Sequence, residues 1–184
     1  MFEFLKAHWV AGAGLMAGAL LLMTPLLYGV WPLALLLIFL HSPGYMIHQV
    51  EEHTDDRFRT YINQRMFGGR EALTTADVIW INAGEVWGLN LAALYIAASV
   101  GPGWALIAPY LMLVNALAHI GPAIRFRSYN PGLTTSFLIF LPLGILTLYS
   151  IPATLPQHAL GFGLSVALHA KIAVDAVRKA GRAG

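Results

Sequence analysis

The run His48-Gln49-Val50-Glu51-Glu52-His53 places four ionisable side chains in six residues, directly after a long apolar stretch. On a helix His48 shares one face with Glu52 at i,i+4 and with Glu51 at i,i+3. His41, seven residues earlier, falls on the same stripe. Two other segments repeat the pattern of paired polar groups: Asn115 and His119 at i,i+4, and Asn82 and Glu85 at i,i+3. Such pairs projecting inward from facing helices are how helix bundles build carboxylate–histidine metal sites. Imidazole together with carboxylate suits zinc or iron, whereas carboxylate alone would favour magnesium or manganese. The spacing therefore nominates His48, Glu51, Glu52, Glu85 and His119 as metal ligands, with Glu51 either bridging a second metal or acting as general base.

The elements that must carry these residues are set by composition. Of 184 residues 58% are hydrophobic and 11% charged, and the mean hydropathy is +0.65. That is apolar material for about six membrane helices of about 20 residues each, with little left for a soluble domain. The expectation is one all-α integral membrane domain, a polytopic bundle over 1–184. Pro25 and Trp31-Pro32 divide the first apolar run, and Gly/Pro turns divide the rest. Spans are predicted at about 8–29, 32–53, 75–99, 104–124, 134–150 and 157–177. Thr74-Thr75-Ala76-Asp77 resembles a helix start. Between spans two and three, Phe58, Tyr61, Ile62 and Met66 alternate with Arg57, Arg59 and Arg65 as in a short interfacial amphipathic helix, stopped by Gly68-Gly69. The N-terminal segment with Lys6 is read as a retained first helix, since no small-residue cleavage site closes it.

All 11 basic residues fall at the N-terminus, in the two long connections or at the C-terminal end. By the positive-inside rule both termini and both long connections are cytoplasmic, as in a bacterial inner membrane. Span two then ends, span three begins and span four ends on one side, so the candidate residues share the cytoplasmic half of the bundle. A carboxylate in mid-span such as Glu85 costs roughly 2.5–3.5 kcal/mol unless paired or protonated, which makes it a strong site candidate on physical grounds. Glu52 and His53 at a helix end would be accounted for by solvation alone; the pairing of His48 with Glu52 favours the site. His41 and His169 are lone histidines on apolar faces, more simply core residues. Without cysteine, thiolate metal sites and thiol nucleophiles are excluded.

The three segments His48-Gln49-Val50-Glu51-Glu52, Asn115-Ala116-Leu117-Ala118-His119 and Arg127-Ser128-Tyr129-Asn130-Pro131-Gly132 resemble the motifs of the HXXEE-domain membrane proteins. They occur in order over roughly half the chain. The resemblance implies that His48, Glu51, Glu52, Asn115, His119 and Arg127 form one functional set; within it Glu51, Asn115 and Arg127 are the expected catalytic residues. Pro131-Gly132 reads as a type II turn with glycine at positive φ.

The function expected from these residues is a membrane-embedded, metal-dependent enzyme acting on a lipid-soluble or lipid-borne substrate. Its metal would be iron or zinc. Three carboxylates beside two or more histidines favour a dinuclear iron centre for oxidation over a single zinc for hydrolysis. The rival readings are a proton-coupled transporter, and a non-catalytic subunit or bis-histidine haem protein using two of His48, His119 and His169. The expected partners are the lipid bilayer and a lipid-soluble small molecule, not nucleic acid, and the reading admits a homo-oligomer.

Overall fold

The structure, a computed structural model, describes residues 2–182 and is all-helical over them. Helix α1 (Phe2–Tyr28) turns at Gly29–Pro32 into α2 (Leu33–His53). A short left-handed kink comes next, with Asp55 and Asp56 at φ 56° and 57°. Then α3 (Arg57–Tyr61) runs into a π-helical turn at Ile62–Met66. Gly68 and Gly69, both at positive φ, end this segment. Asn63 ties the next stretch down: its Oδ1 accepts the backbone N–H groups of Ala72 and Leu73, and its Nδ2 donates to the Leu73 carbonyl.

Helix α4 (Thr75–Ile79) opens with a capping box, in which Thr74 and Asp77 exchange side-chain and backbone hydrogen bonds. It widens into a π-helix at Trp80–Val86 and resumes as α5 (Trp87–Ser99). After a 3₁₀ turn come α6 (Ile107–Phe126) and the short α7 (Leu133–Thr135). The latter passes through another π stretch, Ser136–Phe140, into α8 (Leu141–Ser150). The chain closes with α9 (Leu155–Arg182).

Five helical stretches are long and apolar enough to cross a membrane: Lys6–Tyr28, Leu33–Met66, Pro102–Phe126, Leu133–Ser150 and Leu155–Arg182. Residues 75–99 are helical throughout but do not belong to that set; Asp77, Asn82, Glu85 and Asn90 make this segment more polar. Outward faces carry large apolar side chains, among them Leu15, Leu22, Leu26, Leu138, Tyr149 and Leu155. Exposed apolar surface of this extent is compatible with a membrane-spanning bundle.

Helix α2 is the hub. Its first turns pack Ile38 into an apolar cluster with Ala93, Ala97, Leu106, Ile107 and Ile151. One level on, Tyr45 joins Val86, Leu111, Met112, Ala116 and Phe140. Small residues let α1 lie close to α2: Ala13 and Ala17 pack on Met46, and a Cβ on Gly14 would stand 3.3 Å from Val50. The C-terminal turns of α2 and α6 and the first turns of α4 and α7 meet at the same end of the bundle. That end holds the polar residues.

Candidate metal centre

His48, Glu52 and His119 converge inside the bundle, all three buried, with one ligand-capable atom from each lying within 4.8 Å of the others. Glu52 divides its carboxylate between the rings: Oε2 lies 3.5 Å from His48 Nε2, and Oε1 lies 3.5 Å from His119 Nε2. Ligand atoms about 2.0–2.2 Å from a tetrahedral zinc-sized ion stand roughly 3.3–3.5 Å from one another. The two imidazole–carboxylate distances are of that order, each to a different Glu52 oxygen.

The hydrogen bonds behind the rings fix which nitrogen faces that focus. The Thr135 hydroxyl donates to Glu51 Oε2, an atom that can only accept. It must therefore accept from His48 Nδ1, 2.7 Å away. On the other ring, Asn130 Nδ2 donates to the His119 carbonyl at 2.8 Å, which turns Asn130 Oδ1 towards His119 Nδ1, also at 2.8 Å. Both Nδ1 atoms thus carry a proton. In the neutral imidazoles both Nε2 atoms present lone pairs to a carboxylate, and His48 Nε2 is buried without a hydrogen-bond partner. A cation between the rings, or a proton on either Nε2, satisfies that arrangement, and the three residues could hold a metal ion.

Glu51 and Glu52 do different work. Glu51 accepts four hydrogen bonds: from the Tyr129 hydroxyl (2.7 Å) and Thr134 N–H (3.1 Å) at Oε1, and from Thr135 N–H (2.7 Å) and the Thr135 hydroxyl at Oε2. It caps the first turn of α7, whose own N-cap position is Gly132 and offers no side chain. Partial burial and the bond to Glu51 push the Tyr129 phenol above its ordinary pKa. Glu51 therefore stands behind the His48 ring, with both its oxygens engaged by Tyr129 and the first turn of α7.

Glu85 also departs from expectation. Its Oε1 pairs with Lys171 Nζ at 2.9 Å, and Lys171 lies 3.4 Å from Asp175. The carboxylate expected to be a metal ligand in mid-span instead has a cation from α9 as its partner and is not part of the His48/Glu52/His119 set. Arg127 is exposed, and its backbone takes the left-handed conformation (φ 48°) that ends α6. Its side chain does not reach the set.

His53, by contrast, is buried: Nε2 lies 3.0 Å from Glu52 Oε2 and 3.1 Å from Asn82 Nδ2, and the ring packs on Trp9 and Phe58. Asn82 is itself oriented by a relay in which Trp87 Nε1 donates to Gln49 Oε1 and Gln49 Nε2 donates to Asn82 Oδ1. His41 hydrogen-bonds the Leu37 carbonyl one turn back, and His169 does the same with Ser165.

Spacing alone does not single out Asn130, Gly132 and Thr135 as site residues. The first two lie in a turn whose Leu133 N–H bonds the Asn130 carbonyl at 3.1 Å. Gly132 sits at φ 96°, ψ −11°, the third position of a type II turn. A Cβ on Gly132 would fall 2.6 Å from His119 Cε1 and 2.7 Å from His48 Cε1. Asn130 and Gly132 fall in the third motif segment, but its Asn-Pro-Gly sequence announces a turn rather than a histidine support, and Thr135 lies beyond it.

The set opens on a cavity of about 520 Å³. Glu52, His53, His119 and Asn130 form its polar corner; Phe58, Ile62, Leu111, Leu168 and Ile172 are among its apolar walls. The sequence pattern of a family described as proteins of unknown function with an HXXEE motif matches residues 39–147, more than half of the chain.

The chain belongs to this family.

The matched stretch contains His48, Glu51, Glu52, His119, Asn130 and Thr135 together. No curated protein and no solved structure matches the chain.

Proposed function

We propose that the protein is a membrane-embedded enzyme that uses one divalent metal ion, held by His48, Glu52 and His119, to transform a lipid-soluble molecule. The observation that carries this reading is the convergence of two imidazole Nε2 lone pairs on the Glu52 carboxylate at the mouth of an apolar cavity. Two histidines and one glutamate leave coordination positions free. The same donor set serves zinc that activates water and the non-haem iron of oxygenases. When bound, the ion supplies Lewis acidity or redox chemistry; the chain itself orients the ligands, excludes water and offers His53 beside Glu52 to move a proton.

The donor count favours a single ion over the dinuclear iron centre that the motifs suggest. Carboxylate-bridged pairs draw glutamates from four helices, and here Glu51 caps α7 while Glu85 pairs with Lys171. A haem is disfavoured because the Glu52 carboxylate lies where a macrocycle between His48 and His119 would have to pass. Insertion in a bilayer is supported by the five long apolar helices. The placement of the basic residues supports both termini, and the metal-bearing end, on the cytoplasmic side. Residues 75–99 would make a sixth crossing, with one face buried and Trp80, Leu91 and Tyr95 exposed.

Elemental analysis of gently purified protein tests the reading. About one equivalent of zinc or iron is expected in the native protein, and well under a tenth of that in His48→Ala and Glu52→Gln. Native protein that folds but carries no stoichiometric metal would sink it.

A further inference from the structure

The cavity holds polar atoms that the metal set leaves unemployed. Tyr45 is 1% exposed, its ring centroid 4.6 Å from that of Phe140 and 6.4 Å from that of His48. Its hydroxyl is buried and unpartnered, as is Asn115 Oδ1, and both residues line the cavity. Buried polar atoms are as a rule hydrogen-bonded, so these two orphans need an explanation, as do the Tyr61 hydroxyl and His53 Nδ1, which are unpartnered on the same lining.

Their positions in the helices place them together. Tyr45 precedes His48 by three residues on α2, and Asn115 precedes His119 by four on α6. Both helices run towards the metal-bearing end. The two side chains therefore form a tier about one helical turn, roughly 5 Å, deeper than the ligands. His169 also lines the cavity; its Nδ1 donates to the Ser165 carbonyl, leaving Nε2 as an acceptor.

The chemistry of this tier is uncharged. A phenol donates and accepts, while an amide oxygen accepts. No lysine or arginine belongs to the cavity lining, and Glu52 is its one carboxylate. A hydroxyl group satisfies the Tyr45 and Asn115 atoms of this tier together, accepting from Tyr45 and donating to Asn115 Oδ1. A carboxylate or phosphate would face the Asn115 oxygen with no cationic side chain to meet it. At about 30 Å³ per heavy-atom-sized group, the cavity admits a molecule of about 15–20 non-hydrogen atoms.

We propose that Tyr45 and Asn115 hold the hydroxyl of a neutral, long-chain lipid alcohol whose apolar body fills the cavity beside His48, Glu52 and His119. The assignment of this alcohol as substrate rests on the metal-enzyme reading; its binding does not. Native mass spectrometry of detergent-solubilised protein, equilibrated in turn with 1-tetradecanol, tetradecanoate and tetradecane, tests it. Retention of the alcohol well above the other two is expected. Tyr45→Phe and Asn115→Leu should each weaken that retention about five- to tenfold, as the loss of one buried hydrogen bond does, with metal content unchanged. His48→Ala should lose metal and keep the alcohol.

Equal retention of tetradecane, preference for tetradecanoate, or undiminished alcohol binding in both cavity variants would overturn the proposal. Metal content measured on the same samples separates the two readings. A native protein that binds alcohol without metal leaves this proposal standing and removes the metal enzyme. One that binds metal but no alcohol does the reverse.

Discussion

Glu51 and Glu52 are neighbours in sequence but point about 100° apart around α2, because a helix turns by that angle per residue. One carboxylate faces the bundle interior and two histidines; the other faces the first turn of α7 and four hydrogen-bond donors. A doubled glutamate therefore need not mean a doubled metal. It links one candidate ligand to the group that orients another, since Glu51 reaches His48 through Thr135. Removing such outer partners typically lowers metal affinity 10–100-fold. Glu51→Gln and Asn130→Ala are each expected to weaken zinc binding by that factor in competition titrations, whereas Glu52→Gln abolishes it. Glu85→Gln should leave the titration unchanged, because its partner is Lys171.

At the scale of elements, the turn between α6 and α7 matters as much as the helices. Gly132 is pressed against both histidine rings in a conformation that a side chain rarely adopts. Gly132→Ala forces the rings apart and strains the backbone, so it should cost about 1–3 kcal/mol of stability and most of the metal affinity. Thermal unfolding and elemental analysis on one preparation check both. Gly88→Ala is the control: nothing lies within 4 Å of a Cβ there, and a helical alanine should be neutral or stabilising by up to about 1 kcal/mol.

The π stretch at Trp80–Val86 explains why Glu85 stands away from the ligand set. Residue count gives depth along a span, but each π turn inserts a residue and rotates the rest of the helix. The face that a side chain presents is therefore lost to counting. The pairing of His48 with Glu52, and of His119 with the Asn115 face, is readable because α2 and α6 keep a regular period there. Asn130 and Thr135 are not readable as supports, since turns carry no period and their partners lie 11 and 87 residues away in sequence.

Over the whole molecule, the all-helical class and the apolar helices come from composition, and the family comes from three ordered motifs. Sidedness rests on charge alone. The natural absence of cysteine makes that testable: single-cysteine variants at Ser128 and Val100, both exposed, should label from opposite sides of the membrane with an impermeant maleimide. Ser128→Cys is expected to react only from the cytoplasmic face and Val100→Cys only from the other. Labelling of both from one side would remove the six-crossing arrangement, and the exchanged pattern would reverse it.

The stretch 127–136 supports both histidines at once, Asn130 holding one ring and Thr135 the other. It is also the tether between α6 and α8, and its leading edge, Arg127 to Tyr129, is open to solvent. An ion that locks the two rings must therefore hold this tether in place, and losing the ion must free it. Metal occupancy should then be legible as resistance to trypsin after Arg127. Chelation would turn a protected strap into a cleavage site, so that the cell's own proteases could tell a loaded protein from an empty one.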